Sequence, residues 1–236
     1  MVRLVHSSAL LILVVGCLSS AQAQTGNLYG SGTSEAAVLV RLINAQESGS
    51  AVLRLGSARL ETITPGTMTL YHPIVADIYT LRYQGRSIEF IPRTGTLYTI
   101  IATGAQGLLI LEDSAHNDPA RAQIYVYNMV FRPRSRSVAD ADPSPADPTA
   151  SIATGVSLKT ADGQLELFRV LLPGKSAHRA VNAVKVQVAV FNNDGGAVSS
   201  PFDLILRRGS STTVLLLAGP GEMVQVFTGL ADIAGR

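Results

Sequence analysis

Three histidines outside the N-terminal segment, His72, His116 and His178, are the side chains best suited to general base work in this chain of 236 residues. An exported hydrolase or acyl-transfer enzyme would need one of them beside an activated serine, with a carboxylate to orient the imidazole. None stands in a nucleophile-elbow setting, and Gly-x-Ser-x-Gly does not occur. His116 lies in Glu112-Asp113-Ser114-Ala115-His116-Asn117-Asp118-Pro119, where carboxylates could raise its pKa or share a cation with it. That segment lacks the ligand periodicity of a calcium loop and ends in a turn-forming Asp-Pro, so a polar hairpin loop is expected. His72 precedes Pro73, and His178 sits among Lys175, Ser176 and Arg179, which predicts exposed loops for both. The sequence thus offers no catalytic residues, no metal ligands and no cofactor site.

Sugar binding is the next chemistry to weigh, because exported β-sandwiches present aromatic rings as platforms for pyranose faces. Trp is absent, and all seven Tyr, at positions 29, 71, 79, 83, 98, 125 and 127, fall in the first 131 residues. Tyr79 and Tyr83 share a strand face, which leaves an aromatic strip as an alternative to core packing. Arginine could instead hold a uronate carboxylate in a bidentate contact. Of nineteen Lys and Arg only Lys159, Lys175 and Lys185 are lysine, leaving sixteen Arg. Nucleic acid is an unsuitable partner: seventeen Asp and Glu against those nineteen cations give a formal charge of +2, too balanced for phosphate-backbone binding.

The elements that would carry such groups follow from composition and periodicity. Hydrophobic residues make up 47% and charged ones 15%, enough to fill packed cores. A single Cys excludes an intramolecular disulfide framework and a multi-cysteine metal site. Residues 1–23 read as a signal peptide: Arg3, then the apolar run Ala9 to Val15, then Ala21-Gln22-Ala23 as the cleavage motif before Gln24. The apolar stretch is shorter than the ~20 residues of a spanning helix, so a periplasmic product is expected. Val14-Val15-Gly16-Cys17 also has the shape of a lipobox, which makes a lipid anchor on Cys17 the alternative.

Beyond Gln24 no amphipathic helical stripe lasts longer than two turns, and short runs rich in Val, Leu, Ile, Tyr and Thr alternate with Gly, Ser and Asn. The fold class is all-β, with two β-sandwich domains. Residues 24–131 form the first, with strands at Val38 to Ile43, Ala51 to Leu55, Thr67 to Tyr71, Ile78 to Tyr83, Arg86 to Ile91, Leu97 to Thr103, Leu108 to Glu112 and Ala122 to Met129. Gln84-Gly85 is a two-residue hairpin turn, with Gly supplying positive φ. Residues 132–151 are a Pro/Ser/Asp-rich linker, broken by Pro133, Pro143, Pro145 and Pro148 and expected to act as a semi-rigid spacer.

Residues 152–236 form the second domain. Its strands are Gly155 to Lys159, Gln164 to Leu171, Ala183 to Phe191, Phe202 to Arg207, Thr212 to Leu217 and Glu222 to Thr228, the last closing a sheet edge. A weak echo links Gly95-Thr96-Leu97-Tyr98-Thr99-Ile100-Ile101 with Gly209-Ser210-Ser211-Thr212-Thr213-Val214-Leu215. Strand periodicity alone also produces such a match, so a repeat stands as one of two readings.

Five phrases are spread along nearly the whole chain beyond the signal segment: Leu28-Tyr29-Gly30, the strand Val38-Leu39-Val40-Arg41-Leu42-Ile43-Asn44-Ala45, Gly95-Thr96-Leu97-Tyr98-Thr99, Val156-Ser157-Leu158-Lys159-Thr160-Ala161-Asp162-Gly163 and Val181-Asn182-Ala183-Val184-Lys185-Val186. In this order they resemble the AlgF family of periplasmic alginate O-acetylation accessory proteins. The sequence departs from the family at Ser31 and Ala183, where Pro is expected, and in its long Pro-rich segment.

The resemblance implies two β-sandwich domains and a non-catalytic role in acetylating an exported polysaccharide, alginate or a similar polymer. In such systems a membrane-bound O-acyltransferase and a periplasmic acetyltransferase do the chemistry. Export, two binding-type domains and the lack of a catalytic set then lead to the expectation of an adaptor linking these two partners, with an anionic polysaccharide as an alternative partner. The rival readings are a polysaccharide-binding module and an acetyltransferase or esterase using His116 or His178. Candidate partner-binding residues are Arg41 and Asn44 in the first domain and Lys159, Thr160, Asp162 and Asn182 in the second. Arg41 and Lys159 are expected to face outward, whereas Asn44 and Asp162 end strands, where turn hydrogen bonds account for them.

Overall fold

The computed structural model describes residues 37–55, 58–62, 64–104, 107–131 and 155–231. The signal segment, Cys17, the Leu28-Tyr29-Gly30 phrase and the 132–151 spacer lie outside these residues. Sixteen strands are found among the described residues, and the same eight-strand plan occurs twice. The first set is β1 (Val38–Asn44), β2 (Ala51–Leu55), β3 (Ala58–Thr62), β4 (His72–Ile74), β5 (Tyr79–Tyr83), β6 (Arg86–Phe90), β7 (Leu97–Thr103) and β8 (Gly107–Asp113). The second set is β9 (Ala122–Met129), β10 (Val156–Thr160), β11 (Glu166–Leu171), β12 (Lys175–Val181), β13 (Val184–Phe191), β14 (Phe202–Leu206), β15 (Ser211–Ala218) and β16 (Val224–Leu230).

One sheet of the first set has the order β4-β1-β7-β8, and one of the second has β12-β9-β15-β16, each strand number raised by eight. Both centre on a parallel pair, β1 with β7 and β9 with β15, flanked by antiparallel neighbours. The remaining strands of the second set form β11-β10-β13-β14. Their counterparts in the first are the hairpins β2-β3 and β5-β6, with β2 running beside β5.

The register carries the correspondence to single residues. Leu97 of β7 pairs with Leu39, and Ser211 of β15 with Gln123, so the two phrases of the sequence echo occupy equivalent places. The turns before them also match: Gly95 N donates to Ala37 O and Gly209 N to Arg121 O, while Thr96 N donates to Arg93 O and Ser210 N to Arg207 O. Of the two readings of the echo, the repeat is the one the topology supports.

Each repeat is a sandwich with its own core, and a third core lies between the repeats. Val38, Val40 and Leu42 of β1 and Tyr98 and Ile100 of β7 pack on Leu53, Leu55, Leu81 and Phe90. Ile124 and Val126 of β9 and Val214 and Leu216 of β15 pack on Leu158, Phe168, Val188 and Leu204. The opposite faces of the same central strands meet one another: Leu39, Ile43 and Ile101 from the first repeat against Tyr127, Met129, Leu215 and Leu217 from the second. Four β layers result, and the described strands of both repeats pack within one compact unit. Strands β1 and β9 are buried along their whole length, and such strands read as near-continuous apolar runs rather than alternating ones.

Reciprocal contacts give the inter-repeat interface a pseudo-two-fold character. Phe227 of β16 packs over Gly66, in the turn ahead of β4. Leu109, its counterpart on β8, lies 3.9 Å from where a Cβ on Gly174 would stand, in the turn ahead of β12. Gly66 has φ +75°, and a Cβ there would stand 2.2 Å from a carbon of the Phe227 ring, well inside van der Waals contact. Gly66→Ala is therefore expected to lower unfolding free energy by about 2 kcal/mol or more, measured by chemical denaturation, from left-handed strain and overpacking together.

The hairpin at Gln84-Gly85 has the expected place, and both residues have positive φ, 47° and 75°, the signature of a type I′ turn. Other expectations are corrected. Thr67 to Tyr71 is not a strand; β3 and the short β4 occupy that part of the sheet plan. His72 and His178 lie in strands rather than loops: His72 pairs with Val40, and His178, in the polar edge strand β12, pairs with Tyr125. Ala122 to Met129, assigned by sequence to the first module, is the first strand of the second repeat. The repeats meet at residues 114–121, and the Pro-rich segment stands in the sequence between β9 and β10, which both belong to the second repeat. Composition marks a change of local structure, whereas sandwich membership depends on which distant strand supplies the hydrogen bonds.

Candidate functional site

Polar side chains converge most densely in the inter-repeat core, around Arg41. Alternation along β1 puts residue 41 on the face of Leu39 and Ile43, which the second repeat covers. Arg41 is 0% exposed, which corrects its expected outward position. Its guanidinium donates from Nε to Thr99 Oγ1 (2.8 Å), from Nη1 to Thr213 Oγ1 (2.7 Å) and from Nη2 to Tyr127 Oη (2.8 Å). It also lies over the rings of Tyr71, Tyr127 and Tyr125, at 4.6, 5.4 and 5.7 Å from their centroids.

The compensating charge is Asp113, at the end of β8. Its Oδ2 accepts from Tyr71 Oη (2.6 Å) and from the Thr99 hydroxyl, and its Oδ1 accepts from Tyr127 Oη (2.5 Å). Thr99 and Tyr127 each accept from the arginine and donate to the aspartate, so the two charges are coupled through two hydroxyl relays. Burial is the largest cause pushing the Tyr71 and Tyr127 phenols well above their ordinary pKa, against the opposing pull of Arg41. The Thr99 and Tyr127 hydroxyls bridge Arg41 and Asp113, that of Thr213 accepts from the arginine and that of Tyr71 donates to the aspartate, and the four layers enclose the cluster. This arrangement can hold two sheets in one register; it offers no activated nucleophile.

The other candidates divide between two places. Asn44, also buried, donates from Nδ2 to Gly49 O (3.0 Å) and accepts Gln46 N at Oδ1 (3.1 Å), the turn role expected of it. Lys159, Thr160 and Asp162 are brought together at the end of β10. Lys159 Nζ lies 5.5 Å from the centroid of Phe191, on the outer sheet of the second repeat. Thr160 Oγ1 donates to Asp162 Oδ1 (2.5 Å) and accepts Leu165 N (3.0 Å), while Asp162 Oδ1 also accepts Gln164 N (3.1 Å). Asn182 is exposed in the connection from β12 to β13. The six residues thus do not form one site.

The Thr160 hydroxyl, and next the Gln164 amide, hold the exposed Asp162 carboxyl below the usual carboxylate range. A carboxyl carbon NMR titration should find Asp162 below the ordinary aspartate value of ~3.9, and Thr160→Val should move it upward. The sign is that of a depressed acid: this contribution to stability is present above the unfolded pKa and lost as pH falls through the folded one.

Among the described residues the three histidines sit on separate elements, and none is hydrogen-bonded to a serine or threonine hydroxyl. His116 lies in the inter-repeat loop with Nε2 3.1 Å from Arg121 O. No three His, Asp or Glu side chains of the described residues gather in a group that could hold a metal ion.

Sequence reasoning missed Thr99, Asp113, Tyr71, Tyr127 and Thr213 as partners of Arg41. One signal was available. A single charge inside Val38-Leu39-Val40-Arg41-Leu42-Ile43, a run with no wet face, has to meet its counter-charge inside the protein.

No family model matches the chain. It is similar to the alginate biosynthesis protein AlgF of Azotobacter vinelandii, 23% identical over 184 residues, covering 78% of this chain and 74% of that protein. AlgF of Pseudomonas putida is 23% identical over 208 residues (87% and 85%), and AlgF of Pseudomonas aeruginosa 25% identical over 210 residues (88% and 85%). Among solved structures, the C-terminal domain of AlgF from P. aeruginosa matches at 22% identity with a TM-score of 0.34, over 47% of this chain and 98% of that one.

Proposed function

We propose that the chain, which is similar to AlgF proteins over most of its length, takes part in making alginate or a similar exported polysaccharide, as a non-catalytic periplasmic adaptor for O-acetylation. In this reading it links a membrane-bound O-acyltransferase with a periplasmic acetyltransferase. The observation that carries it is similarity to AlgF proteins over 78 to 88% of the chain. The enclosure of the polar cluster supports it further, because what remains for function is surface.

The way such an adaptor works differs from two modules on a tether. The repeats share a core, so the protein acts as a rigid spacer whose two outer sheets lie on opposite sides of a four-layer body. Partners held on it gain effective concentration by fixed geometry, with no linker to span.

The test has two readouts. Deleting the gene should strip acetyl groups from the exported polymer while leaving polymer yield, and tagged protein should co-purify with a periplasmic acetyltransferase from the same cells. Unchanged acetyl content refutes the role in acetylation. Steady turnover of a chromogenic acetyl ester, abolished by His116→Ala, refutes the non-catalytic assignment.

A further inference from the structure

Internal duplication supplies a control for reading the surface, because equivalent positions share one backbone and differ only in side chain. The turn entering β7 carries Arg93, which is ion-paired with Glu112 on β8. The equivalent turn entering β15 carries Arg207, with Arg208 in place of Thr94 and Arg121 in place of Ala37. Tyr98 pairs with Glu112 and Thr212 with Leu230, so the position that neutralises Arg93 is Leu230 in the second repeat, 56% exposed. Arg121, Arg207 and Arg208 are exposed, and no described carboxylate lies within ion-pair distance of them. Asp118, in the adjoining loop, accepts Ala120 N at Oδ1.

We propose that Arg121, Arg207, Arg208 and Leu230 form a docking surface for an acidic face of a partner protein. The same turn, neutralised in one repeat, presents in the other three guanidiniums with no ion-pair partner among the described residues, and an apolar side chain stands where the counter-charge would be. Guanidiniums match carboxylates in bidentate geometry, and an exposed leucine among them supplies the apolar anchor that a protein partner uses and a sugar polymer does not. This deepens the adaptor reading by naming one of its surfaces.

The test uses the full chain and a synthetic peptide of repeated Glu-Glu-Leu, with oligouronate and phosphatidylglycerol vesicles as parallel probes, measured by fluorescence anisotropy or co-sedimentation at two salt concentrations. Arg207→Glu with Arg208→Glu should weaken peptide binding about tenfold or more, and added salt should do the same. Arg82→Glu with Arg86→Glu, the same charge change in the first repeat, should leave it within about twofold. Circular dichroism should be native for both pairs. Equal loss from both pairs, no peptide binding, or oligouronate or vesicles bound as tightly through Arg207 and Arg208 overturns the proposal. Peptide binding is read without any polymer, so it can fail while acetyl content still depends on the gene, or hold while that dependence fails.

Discussion

Replacing Arg41 with alanine is expected to destabilise the folded protein by about 3–5 kcal/mol, the range found when one member of a buried ion pair is removed. The loss comes from what is left behind. Asp113 stays buried with its charge uncompensated, and Thr213 loses the donor that reaches it across the repeats. Asp113→Ala should cost a similar amount, because the guanidinium then has no counter-ion in the core. The double variant should cost less than the sum, a coupling that a double-mutant cycle in chemical denaturation will measure.

Replacing the charges together by apolar residues of similar volume, Arg41→Met with Asp113→Leu, should recover much of the loss. Additive single effects would show that Arg41 and Asp113 are not coupled through Thr99 and Tyr127. The same core gives an alkaline signature. The raised Tyr71 and Tyr127 phenols stay protonated where free tyrosine, near 10, ionises; stability tied to them is complete below that value and is lost as pH rises toward the folded pKa. Ultraviolet difference titration should find them ionising only with unfolding.

A fragment of residues 152–236, the second module as its composition delimits it, is expected not to fold. It lacks β9, the strand between β12 and β15, leaving both with unpaired ladders. β9 also supplies Ile124 and Val126 to one core and Tyr127 and Met129 to another. At about 1.5–3 kcal/mol for each fully buried large side chain, these four are worth roughly 6–12 kcal/mol, comparable with the whole stability of a domain. Co-expression with the rest of the chain, split near residue 140, should restore a folded complex, because β9 then arrives on the other piece. Cooperative unfolding of 152–236 alone would contradict the assignment of β9 to the second sandwich.

The candidate site illustrates how far local pattern reaches. Asn44 and Asp162 behave as strand-end residues do, since their hydrogen bonds close over two to five positions and are legible wherever the chain is read. Arg41 does not, because its partners are 58, 86 and 172 residues away. The cationic surface was hidden for a related reason: Arg121 and Arg207 are ordinary loop arginines until the duplicated turn shows what neutralises Arg93 and is missing beside Arg207.

By itself the sequence determined the all-β class, the course of most strands, the Gln84-Gly85 turn and the similarity to AlgF proteins. Each of these is written in short-range periodicity, turn chemistry or the order of phrases. Only the tertiary structure decided that β9 opens the second repeat, that β3 and the polar edge strand β12 complete the sheets, and that Arg41 points inward. A strand's pattern reports how many of its faces are covered, but not by what. The cover comes from strands up to a hundred and more residues away, and it forms only when the two sandwiches close on one another.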